Sequence, residues 1–219
     1  MNCDLKIKGL YTIIDTSYVS LEDISVITEE IIGHGAKILQ LRAKETASGD
    51  MLRAAKVIRE ITGRSNALFL VNDRIDIALL AGADGVHIGD EDISPEDARG
   101  LLGEGKVIGY STHTAEEAET AARLAADGFI DYISCGPVFP TSTKKDARAV
   151  VGIEGLKEIS GKTELPLVAI GGVTETNLPR LLQAGPDAVA VISELLQAPD
   201  TGKKTERLLD IIKKNGSGG

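Results

Sequence analysis

Polar side chains gather at seven points of this chain, each directly behind a short hydrophobic run. Their types are basic, acidic and hydroxyl groups, which bind anions and divalent metal ions. Their repeated placement at the ends of hydrophobic runs indicates one shared surface and predicts a phosphorylated substrate with a divalent metal. The clusters are Gln40-Leu41-Arg42-Ala43-Lys44, Asn72-Asp73, Asp90-Glu91-Asp92, Ser111-Thr112-His113, Thr141-Ser142-Thr143-Lys144, Gly171-Gly172 and Ser193.

The first cluster has a spacing of two residues, so Gln40, Arg42 and Lys44 would share one face of a β-strand. Polar groups on an inward face are unfavourable unless they meet solvent or an anion. Arginine offers a planar fork and lysine a point charge, so the pair suits a phosphate or diphosphate. The alternative is a structural ion pair with Asp or Glu at the strand edge.

Acidic residues follow two neighbouring hydrophobic runs at equivalent positions, Asp73 and Asp92. Carboxylates from adjacent loops can share a Mg²⁺ ion, which completes its coordination with water and phosphate oxygens. We therefore predict Asp73 and Asp92 as magnesium ligands. Asp73 could instead cap the helix that follows, and Asp90 and Glu91 compete with Asp92 for the metal.

Two further groups suit phosphate binding. Thr141-Ser142-Thr143-Lys144 combines hydroxyls with a lysine in a loop, whose charged continuation to Val150 could close over a ligand. A solvated polar loop is the alternative. Gly171-Gly172 and Ile192-Ser193 end the seventh and eighth hydrophobic runs, where (β/α)8 barrels often bind a phosphate.

His113, behind the fifth run, is either a general acid/base or a polar residue at the rim of the site. We interpret His34 and His87 as structural. Cys135 is predicted to be a small buried side chain on a strand.

Short runs rich in Val, Ile and Leu alternate with amphipathic or Ala-rich stretches, a pattern typical of buried parallel strands joined by helices. The predicted strands are Leu10–Asp15, Lys37–Arg42, Ala67–Asn72, Gly85–Gly89, Val107–Ser111, Asp131–Gly136, Leu167–Gly171 and Ala188–Ser193. The predicted helices are Ser20–Gly33, Gly49–Gly63, Asp73–Ala81, Ser94–Leu102, Thr114–Ala126, Gly152–Ser160, Glu175–Ala184 and Thr201–Lys214. Ser94 before Pro95 predicts a helix N-terminus, and Thr114 with Glu117 predicts a capping box.

Strict alternation of eight strands with eight helices predicts an α/β fold, a single (β/α)8 TIM barrel over residues 1–214. The tail, residues 215–219, has linker composition and is expected to be disordered. A doubly wound open sheet is the competing fold. It would normally have fewer strands, and no Gly-rich phosphate turn follows the first strand.

Composition narrows the functional classes. A net charge of −9 argues against nucleic acid as a partner, but a local basic cluster can still bind a small anion. The two cysteines give neither a disulfide framework nor zinc spacing. We expect no membrane association and a cytoplasmic protein, because no signal segment or long apolar run is present. The sequence leaves open whether the barrel forms a homo-oligomer.

Read together, these residues resemble the thiamine-phosphate synthase family, from about Leu10 to Leu196. Ala43 and Asp90 fall where that family often carries other polar residues, and neither change removes a proposed contact. The matching blocks are Gln40-Leu41-Arg42-Ala43-Lys44, Asn72-Asp73, Asp84-Gly85-Val86-His87-Ile88-Gly89, Gly136-Pro137-Val138-Phe139-Pro140-Thr141-Ser142-Thr143-Lys144, Ala169-Ile170-Gly171-Gly172-Val173 and Val191-Ile192-Ser193.

The resemblance implies a transferase that joins a hydroxymethylpyrimidine diphosphate to a thiazole phosphate, with release of diphosphate. It implies Mg²⁺ bound by Asp73 and Asp92, and Arg42, Lys44 and Lys144 as the catalytic cations. The pyrimidine diphosphate would contact Gln40, Arg42, Lys44, Asn72, Ser111 and Lys144. The thiazole phosphate would contact Thr141, Thr143, Gly172, Ile192 and Ser193, with Ser142 in the same substrate-binding loop.

Other functions compete with this interpretation. A thiazole tautomerase is similar in sequence and fold and would use His113 for proton transfer, but its family pattern lacks the full acidic pair. A catalytically silent sensor of thiamine precursors would not need a metal pair. Another phosphate-binding barrel enzyme is the third alternative.

Overall fold

The structure is a computed structural model that describes residues 7–141 and 148–216. Eight parallel strands close into a barrel in sequence order, which confirms the predicted (β/α)8 fold. The closing pair joins the first strand to the last, with Tyr11 opposite Ala190. The strands are β1 Gly9–Asp15, β2 Ile38–Arg42, β3 Leu68–Asn72, β4 Gly85–Ile88, β5 Val107–Thr112, β6 Tyr132–Cys135, β7 Leu167–Ile170 and β8 Ala188–Val191.

Helices cover the outside of this barrel. They are α1 Ile24–Gly33, α2 Ser48–Ser65, α3 Ile75–Ala81, α4 Pro95–Leu102, α5 Ala115–Ala126, α6 Gly152–Ser160, α7 Leu178–Leu182, α8 Ser193–Leu196 and α9 Thr201–Asn215. The sequence pattern missed α8, because its apolar residues continue the run of β8. The prediction that the eighth strand reaches Ser193 was therefore wrong: the strand ends at Val191.

Capping chemistry sets several helix ends. Ser94 accepts a hydrogen bond from the backbone N–H of Asp97 at 3.1 Å, as predicted for the start of α4. Thr114 accepts one from Glu117 at the start of α5. The reciprocal half of that capping box differs from the expectation, since the Glu117 carboxylate accepts from the backbone N–H of His113 at 2.6 Å. Helix α9 extends to Asn215, one residue into the predicted tail.

The strands alternate between two apolar layers. In β2, Leu39 and Leu41 pack outwards against the helices, while Ile38 belongs to the cluster that fills the barrel interior. Gln40 and Arg42 continue the inward row, because successive side chains of a strand point to opposite faces. The same parity brings inward polar residues of several strands to one end of the barrel.

The low aromatic content of 3% is consistent with this packing, since small and β-branched residues fill parallel strands covered on both faces. Within residues 7–141 and 148–216, no helix combines the length and apolar character that a bilayer crossing requires.

Candidate active site

A cavity of about 720 Å³ opens at the carboxyl ends of the strands. This is the end of a (β/α)8 barrel at which loops from all strands converge and active sites lie. Every predicted site residue that the structure describes lines this cavity: Gln40, Arg42, Lys44, Asn72, Asp73, Asp92, Ser111, Thr141, Gly172, Ile192 and Ser193. Ser142, Thr143 and Lys144 lie outside the described residues.

The basic row of β2 lies on one wall. Gln40 is 3% exposed, deep in the barrel, whereas the Lys44 side chain, beyond the strand end, is 54% exposed. Arg42 donates from Nη1 to Oδ2 of Asp15 at 2.6 Å. Arg42 therefore forms an ion pair, as the alternative interpretation of this cluster predicted, and its side chain also lines the cavity.

Asp15 is a site residue that the sequence analysis did not single out. It ends β1, is 1% exposed, and lies opposite Arg42 in the β1–β2 register. Its other oxygen, Oδ1, accepts from the backbone N–H of Ser17 at 2.9 Å and from the Ser17 hydroxyl at 2.7 Å. A buried carboxylate held in this way orients the guanidinium of Arg42. Its position at the end of a buried strand was the signal that could have found it.

The predicted metal ligands come together across the ends of β3 and β4. Burial raises the pKa of the Asp73 carboxyl; Lys44 opposes that rise, and the negative charge of Asp92 adds to it. Lys44 contacts Asp73, with Nζ to Oδ2 at 2.5 Å. Asp92 accepts from the backbone N–H of Gly89 at 2.8 Å through Oδ2. The loop after β4 thus holds one carboxylate beside the other.

Asp73 does not cap the helix that follows it, as the alternative interpretation would require. Helix α3 begins two residues later, with Arg74 at the cap position and no side-chain cap. Asp73 instead adopts a left-handed backbone conformation with φ of +61°. Asp and Asn tolerate this conformation better than most residues.

Two neighbouring carboxylates fit a magnesium ion that takes its remaining ligands from water and phosphate. Among the described residues no group of three or more His, Cys, Asp and Glu side chains converges on one point. The acidic pair is suited to a metal that arrives with an anionic substrate.

Asp90 has a different partner from Asp92. It forms an ion pair with Arg148, which also contacts Glu117 at 3.1 Å. Arg148 lowers the pKa of the Asp90 carboxyl. Of the acidic residues at 90–92, Asp92 is the one whose charge acts on Asp73, which favours it for the metal.

His113 lies at the rim beside Glu117, with Nδ1 to Oε2 at 3.1 Å. Burial lowers the pKa of the His113 imidazole, while Glu117 opposes that change. The ring is therefore neutral at physiological pH. Burial also raises the pKa of the Cys135 thiol to about 12, so this fully buried strand residue is not a nucleophile.

The opposite wall consists of the loops after β7 and β8. Gly171 and Gly172 both have positive φ, at +100° and +64°. The carbonyl of Gly172 accepts from the side-chain amide of Asn177 at 2.8 Å, which fixes the turn. Ile192 precedes the four-residue helix α8, which starts with Ser193. Backbone groups and one hydroxyl therefore face the cavity here.

The cavity floor contains a connected set of polar rings. Tyr11, His87 and Tyr132 line it together with Ser111 and Ser134. His87 contacts the Tyr132 hydroxyl through Nδ1 at 2.9 Å and the Ser111 hydroxyl through Nε2 at 3.0 Å. From the sequence, His87 was predicted to be structural, and neither tyrosine was predicted to belong to the site. Their inward parity on β1, β4 and β6 was the available signal.

A sequence model of the thiamine monophosphate synthase family matches residues 10–195. The chain is 43% identical over 205 residues to a thiamine-phosphate synthase of Persephonella marina, covering 94% of this chain and 96% of the relative. It is 40% identical over 216 residues to that of Clostridium acetobutylicum, covering 99% of each. Among solved structures, thiamine phosphate pyrophosphorylase from Pyrococcus furiosus superposes with a TM-score of 0.83 at 37% identity, over 95% of this chain and 97% of the other.

Proposed function

The chain belongs to the thiamine monophosphate synthase family, and we propose that the cavity at the carboxyl ends of its strands is where the reaction of that family takes place. As a member, it is a transferase that condenses a hydroxymethylpyrimidine diphosphate with a thiazole phosphate to give thiamine phosphate and diphosphate. The observation that carries the proposed site is the meeting of Arg42, Lys44, Asp73 and Asp92 in one cavity.

The diphosphate binds between the basic row of β2 and the acidic pair. Arg42 is pre-oriented by Asp15 and presents its remaining N–H groups to the anion. Lys44, now paired with Asp73, lies at the junction of the two groups and is available to a phosphate oxygen when a cation takes over Asp73. Asn72 and Lys144 complete this part of the site.

Asp73 and Asp92 are the residues that would hold a Mg²⁺ ion at this site. When bound, the ion neutralises charge on the departing diphosphate. The raised pKa of Asp73 supports this assignment, because burial and the neighbouring Asp92 both disfavour its negative charge, and a cation at this position would offset both effects.

Departure of the diphosphate leaves a cation on the pyrimidine methylene, which the electron-rich aminopyrimidine stabilises. The thiazole nitrogen then attacks that methylene carbon, and the C–N bond replaces the C–O bond to diphosphate. The protein supplies neither a nucleophile nor a strong base. Arg42, Lys44 and Lys144 stabilise the charge that develops on the leaving group.

The thiazole phosphate binds at the opposite wall, at Gly172, Ile192 and Ser193, and we assign Thr141, Ser142 and Thr143 to the same substrate. Anchoring by the phosphate aligns the thiazole nitrogen with the methylene carbon, and orientation of this kind contributes much of the rate of a two-substrate reaction. Ordinary residues on the remaining apolar wall, such as Val168 and Ala190, exclude water from the cation.

A coupling assay tests this function. The purified protein is mixed with both substrates, with and without Mg²⁺, and thiamine phosphate and diphosphate are followed together. Magnesium-dependent, equimolar appearance of both products is expected. Absence of coupling by folded protein that binds the thiazole phosphate would contradict the synthase function.

Two variants sharpen the assay. Lys144→Ala is expected to lower turnover by about 10²-fold, the usual loss for one transition-state donor. His113→Ala is expected to change turnover only slightly, because the reaction needs no general base. A severe loss in His113→Ala would instead point to the tautomerase chemistry.

A further inference from the structure

An unbroken chain of hydrogen bonds crosses the cavity floor from β2 to β5. Gln40 donates from Nε2 to the Tyr11 hydroxyl at 2.9 Å, and that hydroxyl lies 2.9 Å from the hydroxyl of Tyr132. Tyr132 contacts Nδ1 of His87, and Nε2 of His87 contacts Ser111. The chain therefore joins two residues assigned to the pyrimidine substrate through three residues to which the proposed function gives no role.

One order of donors gives the protons of both tyrosines an acceptor within this chain of hydrogen bonds. An amide nitrogen cannot accept, so Gln40 donates to Tyr11, and in this order the Tyr11 hydroxyl donates to Tyr132. Tyr132 then has Nδ1 of His87 as the acceptor for its proton. A histidine that accepts at Nδ1 is neutral and carries its proton at Nε2.

The proton on Nε2 of His87 determines whether the Ser111 hydroxyl donates or accepts toward the histidine. Nε2–H of His87 donates to the Ser111 hydroxyl oxygen at 3.0 Å and lies 3.2 Å from that of Ser134. Because Ser111 accepts from the histidine in this order, its own proton is available to a ligand in the cavity that it lines. At the other end, the amide nitrogen of Gln40 is engaged by Tyr11, which leaves its carbonyl oxygen for a ligand. No buried side-chain oxygen or nitrogen of the described residues lacks a partner, which places this oxygen in contact with the cavity.

We propose that Tyr11, Tyr132 and His87 are positioning residues that set the polarity of the floor, so that Gln40 acts as an acceptor and Ser111 as a donor. The matching ligand is a neutral heterocycle with an N–H donor at one point of its rim and an unprotonated ring nitrogen at another. An aminopyrimidine has both groups. The identity of this ligand rests on the proposed function. The direction of the hydrogen bonds from Gln40 to Ser111, here called the relay, does not.

The surroundings keep the relay in this state. Tyr11 and Tyr132 are 2% and 0% exposed, and burial raises the pKa of both phenols, so each retains the proton that it must donate. The rings of His87 and Tyr132 lie with centroids 5.4 Å apart above Gly109. A Cβ at Gly109 would come within 2.1 Å of the Tyr132 ring and 2.4 Å of His87 Nδ1. Glycine there leaves the space that the contact between the rings requires.

The first experiment reads the histidine tautomer directly in the free protein. Histidine labelled with ¹⁵N is observed by NMR at about pH 8, where an ordinary imidazole is neutral, and His87→Gln identifies the signal. We expect the Nε2–H tautomer. A proton on Nδ1 of His87 in the wild-type protein would overturn the relay, whatever the variants do.

Two matched variants then separate the links. Tyr132→Phe removes the donor to Nδ1, so the signal of His87 should move to a mixture of tautomers. Tyr11→Phe removes a hydroxyl of equal size but leaves Tyr132 able to donate, so His87 should keep its Nε2 proton. An unchanged tautomer in folded Tyr132→Phe would contradict the proposal.

Equilibrium binding tests the consequence for the ligand. Tyr132→Phe should bind the pyrimidine diphosphate about tenfold more weakly, equivalent to about 1.4 kcal/mol, and bind inorganic diphosphate as the wild type does. Equal weakening for both ligands would indicate general damage to the site and would overturn the positioning role. If the wild type shows the Nε2–H tautomer but no coupling activity, the proposed function fails while the relay stands.

Discussion

At the residue scale, the site contains one carboxylate, that of Asp73, whose negative charge is unfavourable in the folded protein. Asp73 is largely buried beside Asp92, and its raised pKa means that the charged form is less stable in the folded protein than in water. The ion pair with Lys44 compensates only in part. A carboxyl group whose pKa is raised by burial and by a second carboxylate is typical of functional sites, and a cation bound beside it would offset both effects.

The unfavourable charge of Asp73 predicts that the Asp73→Asn variant is more stable but less active than the wild type. Without metal, the melting temperature should rise at neutral pH, because the variant removes a disfavoured charge. Asn also accepts the left-handed backbone found at this position. The gain should shrink as pH falls through the raised pKa, where Asp73 of the wild type becomes protonated. Magnesium-dependent turnover should fall more than about tenfold.

Asp76→Asn is the matched control for Asp73→Asn. Asp76 is exposed on α3, and Arg74 lowers the pKa of its carboxyl, so its charge is favoured by the fold. The control should lower the melting temperature slightly and leave turnover unchanged. Differential scanning fluorimetry and the coupling assay measure the two effects, and unaltered magnesium dependence in Asp73→Asn would remove it from the metal site.

At the scale of elements, Arg148 links three parts of the rim. It pairs with Asp90 in the loop after β4 and with Glu117 in α5, while Val151, just beyond it, donates to the carbonyl of Pro137 at 2.8 Å. The segment that enters α6 is thereby held against the loop after β4, helix α5 and the loop after β6. Because Arg148 itself lines the cavity, this junction shapes the opening through which substrates pass.

Arg148→Ala is therefore expected to affect function more than stability. An exposed ion pair contributes little to stability, so the melting temperature should change little. Loss of the junction at the cavity opening should lower turnover by about fivefold, equivalent to about 1 kcal/mol. A double-mutant cycle with Asp90→Asn should show coupling between the two positions in the kinetics. The control is Arg207→Ala on α9, which breaks an exposed pair with Glu175 and should leave turnover unchanged.

At this scale, the predicted C-terminal end of the eighth strand was wrong. Apolar periodicity carried it to Ser193, but the chain turns at Ile192, where φ is −126° and ψ is −88°. Helix α8 packs against α9, and its residue Leu195 is fully buried in the core. The apolar run of β8 therefore continues from the strand into this short helix. Hydrophobicity alone does not distinguish a strand end from a short helix start.

At the scale of the whole molecule, barrel closure demands close approach of neighbouring strands. Gly85, at the start of β4, shows the tightest such contact: a Cβ there would lie 1.9 Å from the carbonyl oxygen of Val107 in β5. Any side chain would push β4 and β5 apart and disturb the closed hydrogen-bonded ring. Strand-to-strand spacing in a parallel sheet leaves no room for such displacement.

Gly85→Ala should therefore lower the free energy of unfolding by about 3 kcal/mol or more, through overpacking. Gly63→Ala is the matched control, because Gly63 lies in helix α2 with open space around its Cα. That change should raise the free energy of unfolding by about 0.5–1 kcal/mol. Urea denaturation measures both, and a Gly85→Ala protein as stable as wild type would contradict the packing argument.

The sequence by itself determined the order of strands and helices, the (β/α)8 fold, and the placement of polar residues at strand ends. These depend on local periodicity, and barrel topology then brings all the strand ends to one face. Tertiary structure decided the pairings: Asp15 with Arg42, Asp92 rather than Asp90 beside Asp73, and His87 as the link between Tyr132 and Ser111. Each pairing joins different strands or loops, so it depends on strand register and inward parity, which a single sequence does not express.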